Sequence, residues 1–196
     1  ITTLVVGQCG MSLAPINRKF EKLLRRYAAP FLPDSDVKLP WTTFKQYLAK
    51  MQRLRSTSNA AHLVGHGSVR IAAMGFAERE PNQTELEHMK AMVAEAMRAG
   101  AVGMSTGLIY PPGVFSKTKE LIELTREVAR NGGTYFSHIR SEGLTLIKAV
   151  NEAIEIGEKA GTPVHISHHK AAGRRVWGKL KEALELMEDA RKRGVD

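Results

Sequence analysis

The segment Thr134-Tyr135-Phe136-Ser137-His138-Ile139-Arg140 has a counterpart about thirty residues on, Thr162-Pro163-Val164-His165-Ile166-Ser167-His168-His169-Lys170. Each follows a glycine stop, Gly132-Gly133 for the first and Gly161 for the second, and each runs as a short β-rich stretch to Ser-His. The residues between them, 143–160, have the apolar spacing of an amphipathic helix, so the pair reads as one βαβ unit with parallel strands. Successive strands of such a unit end on the same side of the sheet, which sets His138 and His168 side by side at a C-terminal rim. Neutral imidazoles meeting there are donors of the kind zinc takes.

Outward from this unit the same rhythm continues. Residues 84–98 read as a helix with a capping box of Thr84 and Glu87 and an apolar stripe of Leu86, Met89, Val93, Ala96 and Met97, stopped by Gly100. A strand over 101–106, a turn over 107–113 and a helix over 116–131 lead into Thr134. Downstream, 163–168 is a strand and 176–193 a helix. Residues 1–6 form an apolar, β-branched run expected of a strand buried on both faces, ending in Gly7-Gln8-Cys9-Gly10. Helices over 15–27 and 41–55, joined by a proline-bearing loop over 30–40, make an insertion at about 15–58. A strand over 60–64 then runs into Gly65-His66-Gly67.

Five strands alternating with helices imply an α/β fold with a parallel sheet and right-handed crossovers. A doubly wound sheet and a slice of a (β/α)8 barrel both fit that alternation. No Gly-rich phosphate loop follows the first strand, which favours the barrel. The repeat length is that of a βα unit, and the units are too dissimilar for a solenoid.

Of 196 residues, 43% are hydrophobic and 25% charged, the balance of a soluble globular protein, and no apolar run approaches a membrane span. Cys9 is the only cysteine, so no disulfide can form within the chain, and a cytoplasmic location is expected. The net charge of +9 is spread over helices (Arg18, Lys22, Arg25, Lys50 and Arg53 among its carriers) without an aromatic RNA-binding signature or a Cys/His finger. These residues read as solvated helix faces, with neither nucleic acid nor membrane as partner. The chain starts at Ile1 without an initiator Met and ends just after a helix, which reads as a piece of something larger.

The polar groups with chemical potential all follow strands: Cys9, His66, Tyr110, His138, Arg140, His168 and Lys170. In a barrel these positions share one rim, where barrel enzymes hold their sites. Cys9 as thiolate with His138 and His168 makes a zinc set of one sulfur and two nitrogens, with a position left for water. His66, set between two glycines of a turn, is expected to face a substrate or to serve that turn structurally, and Tyr110, Arg140 and Lys170 are expected to face a substrate. Adjacent strand residues alternate faces, so spacing alone leaves the choice between His168 and His169 open. His165 is expected in the core, and His62 and His88 in structural roles.

Five stretches, 7–15 (Gly-Gln-Cys-Gly-Met-Ser-Leu-Ala-Pro), 65–70 (Gly-His-Gly-Ser-Val-Arg), 104–113 (Met-Ser-Thr-Gly-Leu-Ile-Tyr-Pro-Pro-Gly), 137–142 (Ser-His-Ile-Arg-Ser-Glu) and 166–171 (Ile-Ser-His-His-Lys-Ala), together resemble the N-acyl-D-amino-acid deacylase branch of the amidohydrolase superfamily. The resemblance implies a (β/α)8 barrel of the metal-dependent hydrolase type, present here as roughly strands two to six of eight. It implies that Cys9, His138 and His168 hold zinc and that Lys170 grips the carboxylate of a small N-acyl amino acid, and it selects His168 over His169. The family's strand-one His-x-His pair and its general-base Asp have no counterpart here, so no catalytic base is assigned within 1–196 and the chain alone is expected to be inactive. A cyclic-amide hydrolase of the dihydroorotase or hydantoinase type is the enzymatic alternative, weakened because residues 101–108 offer no Lys for carboxylation. A folded, non-catalytic fragment is the other.

Overall fold

The computed structural model describes residues 2–32, 37–54 and 56–196; Ile1, the middle of the 30–40 loop and Arg55 lie outside the described residues. Five strands form the sheet: β1 (Thr3–Val6), β2 (Asn59–Gly65), β3 (Gly103–Gly107), β4 (Thr134–His138) and β5 (Val164–Ile166). The helices are α1 (Glu21–Tyr27), α2 (Phe44–Arg53), α3 (His66–Met74), α4 (Gln83–Ala99), α5 (Thr118–Ala129), α6 (Leu146–Ala160) and α7 (Lys179–Lys192).

All strand pairs are parallel and the spatial order is the chain order, β1-β2-β3-β4-β5. That order decides between the two architectures left open by the alternation. A doubly wound sheet reverses its strand order at a switch point, whereas here each crossover steps in the same direction. Right-handed crossovers of one direction put their helices on one face, and α4, α5, α6 and α7 pack against one another in series. The result is a curled, partial (β/α) barrel. Between sheet and helices lies a core that includes Val64, Met89, Met104, Leu121, Leu124 and Tyr135, all buried. No helix among the described residues is long and apolar enough to cross a membrane.

Several local readings change. The capping box of α4 is Asn82 with Glu85, two residues ahead of Thr84 and Glu87. Asn82 keeps an extended backbone, accepts from the Glu85 N–H at 2.9 Å and donates its own N–H to Glu85 Oε2 at 2.8 Å. β1 is not buried on both faces: Leu4 and Val5 are 45% and 46% exposed, and among the described residues only β2 pairs with this strand. His165 lies in β5 but is exposed, its ring 4.9 Å from that of Phe136, and His88 is exposed on α4. His62 is half-buried against the Tyr47 hydroxyl at 3.2 Å.

The largest difference follows β2. The glycines flanking His66 read as a turn, yet α3 begins at His66 itself and is buried along nearly its whole length. His66 is therefore enclosed and not open to the rim where a substrate is expected. It is fully buried, with Nε2 2.9 Å from Glu120 Oε1 of α5. Arg70, one turn on, is also fully buried and donates to Glu120 Oε2 at 2.6 Å and to the carbonyls of Ala77 and Arg79. One carboxylate thus ties α3 to α5 through two buried partners.

Burial pushes the Glu120 carboxyl up, but the hydrogen bonds and charges of His66 and Arg70 outweigh it and hold it below the ordinary value of 4.5. A depressed folded pKa gives stability that is present above the unfolded carboxylate range and is lost as pH falls toward the folded value. Replacing Glu120 with Ala leaves a buried guanidinium without its carboxylate, and denaturant unfolding is expected to show a loss of about 3–5 kcal/mol. Glu120→Gln is expected to flatten the acid side of the stability profile; an unchanged acid limb would remove Glu120 as its cause.

Candidate metal centre

The metal centre begins with the turn after β1. Cys9 has φ +56°, a left-handed backbone that non-glycine residues rarely adopt. Contacts from three other parts of the chain hold it there. The Gly10 N–H donates to Ser105 Oγ at 2.9 Å, and Ser105 Oγ donates in turn to the Gly7 carbonyl. Tyr27 donates its hydroxyl to the Gly10 carbonyl at 3.2 Å, and Tyr110 donates to the Cys9 carbonyl at 2.5 Å. The close approach explains Gly107: a Cβ there would lie 2.4 Å from the Cys9 carbonyl oxygen and 2.3 Å from the Tyr110 hydroxyl.

His138 closes β4 opposite Gly107, so no neighbouring side chain on β3 crowds its ring. Tyr110 lies edge-on to it at 5.5 Å and His168 at 4.3 Å between ring centroids. His168 stands two residues beyond the end of β5, at φ +40°. Cys9 Sγ is 3.6 Å from His168 Nε2, and the potential ligand atoms of Cys9, His138 and His168 all lie within 4.8 Å of one another. Among the described residues this is the only group of three such donors, and His169 is not part of it.

The donor set fits zinc. Zinc–sulfur near 2.3 Å and zinc–nitrogen near 2.0–2.1 Å in a tetrahedron place sulfur and nitrogen about 3.5 Å apart, close to the observed separation. Burial lowers the pKa of His138, with the neighbouring His168 charge acting in the same sense, which favours the neutral imidazole a metal needs. Burial raises the Cys9 thiol, opposed by the Tyr110 hydrogen bond and the charge of Lys170. A cation bound between these groups would supply what makes the thiolate.

Glu142 is the residue that the spacing argument missed. It is buried, and its Oε1 lies 3.0 Å from His168 Nδ1, leaving Nε2 to face Cys9. A carboxylate behind a ligating histidine fixes tautomer and ring orientation. The same oxygen accepts from Lys170 Nζ and lies 3.9 Å from His138 Nε2. Burial pushes Glu142 up, but the Lys170 hydrogen bond and the positive charges around it keep its carboxyl below the usual range. Its one sequence signal was an acid four residues after His138.

The other rim residues divide. Lys170 stands at the mouth beside His168, at 3.2 Å from Nδ1. Tyr110 spends its hydroxyl on Cys9. Arg140 is committed elsewhere: it pairs in bidentate fashion with Glu152 of α6 at 2.8 and 2.9 Å and donates to the carbonyls of Val114 and Ser116. It clamps the loop that carries Tyr110.

No protein-family model matches the chain. A D-aminoacylase of Alcaligenes xylosoxydans xylosoxydans is 37% identical over 194 residues, 97% of this chain and 38% of that protein. This chain is a homologue of the D-aminoacylases. The chain spans about two fifths of the length of the curated relatives it matches. Two solved structures extend the likeness to the fold. An N-acyl-D-glutamate deacylase from Bordetella bronchiseptica, complexed with zinc and a phosphonate mimic of the tetrahedral intermediate, superposes with TM-score 0.88 at 35% identity, covering 100% of this chain and 40% of its own. A D-aminoacylase studied for its binuclear metal center gives TM-score 0.86 at 35% identity, covering 98% and 40%. A further D-aminoacylase structure, described as defining a novel subset of amidohydrolases, superposes with TM-score 0.85 at 35% identity, covering 98% of this chain and 40% of its own.

Metal analysis checks the set directly. Cys9→Ser and His168→Ala are expected to reduce zinc to background, whereas His169→Ala should leave it in place. Undiminished zinc in the first two variants would exclude this ligand set.

Proposed function

We propose that the protein carrying this chain is a zinc-dependent amidohydrolase that cleaves the amide bond of N-acyl-D-amino acids, releasing a carboxylate and a free D-amino acid. The observation that carries the reading is a convergent thiol and imidazole pair with an ammonium beside it, on a chain homologous to D-aminoacylases. Cys9, His138 and His168 are the residues proposed to hold the ion. Zinc in such a set polarises a carbonyl and lowers the pKa of a bound water.

The chain's own residues supply binding and positioning. Lys170 extends from the same segment as His168, and its ammonium is placed to pair with the substrate carboxylate while the neighbouring amide faces the donor atoms. Tyr110 holds the Cys9 backbone and shields one edge of the His138 ring. Arg140 anchors the Tyr110 loop to α6 and is assigned here to positioning, since Glu152 and two carbonyls occupy its donors. The general base is proposed to be an Asp outside residues 1–196, as the resemblance implies. The substrate is small, the setting proposed is the cytosol, and neither nucleic acid nor membrane is a proposed partner. A lysine-bridged cyclic-amide hydrolase is disfavoured because β3 and its end, residues 101–108, contain no Lys.

The experiment compares an N-acyl-D-amino acid with the analogue whose carboxylate is an amide. In the zinc-loaded protein, Lys170→Met is expected to cost about 2–4 kcal/mol in kcat/KM for the acid and little for the amide. An equal loss on both would assign Lys170 to the metal site or the fold.

A further inference from the structure

Lys170 is not free. Its Nζ donates to Glu142 Oε1, the same oxygen that faces His168 Nδ1 at 3.0 Å. The partners differ in freedom: the Lys170 side chain is 50% exposed and that of Glu142 only 10%. Their backbones are also joined, because the Ala172 N–H donates to the Glu142 carbonyl at 2.7 Å. Arg140, the other cation on this rim, is held by Glu152. A substrate carboxylate arriving at Lys170 therefore meets an ammonium already paired with a fixed anion. Two carboxylates at one ammonium repel each other, so whatever Glu142 gives to the resting site it takes from the affinity for an anionic substrate.

We propose that Glu142 is a positioning and specificity residue: one oxygen holds Lys170 and His168 at rest, and substrate binding transfers Lys170 from Glu142 to the substrate carboxylate while His168 keeps its partner. This rests on the deacylase reading. The half-exposed ammonium is the group that moves, and lysine, with three donors on a flexible stem, can turn toward the mouth without disturbing the backbone. Glu142 stays, because it is buried and its second duty is to the histidine ring. The exchange acts on acids and not on neutral analogues, since only an anion competes for the ammonium.

The test uses the metal-loaded, full-length protein with N-acetyl-D-alanine and its C-terminal amide as probes, and a separate zinc-affinity measurement against a chelating dye. Glu142→Gln preserves shape and an acceptor for His168 Nδ1–H but removes the competing charge. It is expected to lower KM for the acid by about threefold to tenfold and to leave KM for the amide unchanged. That gain should vanish in Glu142→Gln combined with Lys170→Met. Zinc affinity should stay within about threefold for Glu142→Gln and weaken by about 10–100-fold for Glu142→Leu, which offers His168 no acceptor. An unchanged or raised KM for the acid in a folded Glu142→Gln protein overturns the transfer of Lys170. Wild-type zinc affinity in a folded Glu142→Leu protein overturns the hold on His168. A wild-type enzyme that treats acid and amide alike removes the pairing of Lys170 with the substrate carboxylate and overturns this inference, whereas one that hydrolyses neither probe fails the deacylase reading itself.

Discussion

Cys9 follows the first strand of the sheet and His168 the last, and the gap between their ligand atoms is 3.6 Å. In a flat sheet, strands about 4.8 Å apart would leave the first and fifth about 19 Å from one another. Side chains alone do not span that difference, so the sheet between them must curl. Sequential parallel order supplies the curl: all crossovers step one way, all helices stack on one face, and the strand ends converge on the other side. A second contact across the mouth, Ser167 Oγ to Gln8 Oε1 at 3.3 Å, joins the same two ends. Convergence of the rim is thus a property of topology before it is a property of any one residue.

Topology brings the ligands near; local backbone finishes the placement. Cys9 and His168 are the two non-glycine residues with positive φ among the described residues. Such conformations cost of order 1–3 kcal/mol each and persist where surrounding contacts over-determine them. Around Cys9 those contacts come from Ser105, Tyr27 and Tyr110. Arg140 supports them at one remove, by fixing the loop from which Tyr110 projects. The apparent surplus of hydrogen bonds around one turn is what keeps a thiol aimed at two imidazoles.

The sequence carried the architecture because the helix–glycine–strand rhythm is local chemistry. Glycines at 100 and 161 stop α4 and α6 in left-handed conformations, and the β4 boundaries fall where Thr134 and His138 put them. The proposed ligands were legible as polar residues at the end of a strand or just beyond it. What escaped reading depended on geometry that a one-dimensional pattern does not hold. The alternation rule fails at His168, because β5 ends at Ile166 and the chain then turns, so nothing in the spacing could separate His168 from His169. The α3 helix escaped because Gly65 and Gly67 look like turn residues. They are glycines for space: a Cβ on Gly65 would meet the Gly10 carbonyl at 2.5 Å, and one on Gly67 the Tyr27 hydroxyl at 2.2 Å. Arg140 and His66 escaped for a third reason. A charged or polar residue at a rim has the same sequence signature whether it waits for a ligand or is already paired with an acid from a later helix.

The shortest strand has a consequence of its own. β5 is three residues long and pairs only with β4 on the described sheet, while Val164 is further tied by its N–H to the Asp196 carbonyl at 2.7 Å. Strands this short and this peripheral open at low free-energy cost, well below global unfolding. His168 hangs from that strand, and its fellow ligands hang from β1 and β4. An ion held by all three, as proposed, would be a cross-link between the two margins of the described sheet, β1 and β5, and its interior strand β4. Ligand binding to the closed form alone draws population out of the opened one. Slow exchange of the β1 and β5 amides would then be a property of a loaded centre, and chelation would be felt first as fraying at the margins of the described sheet.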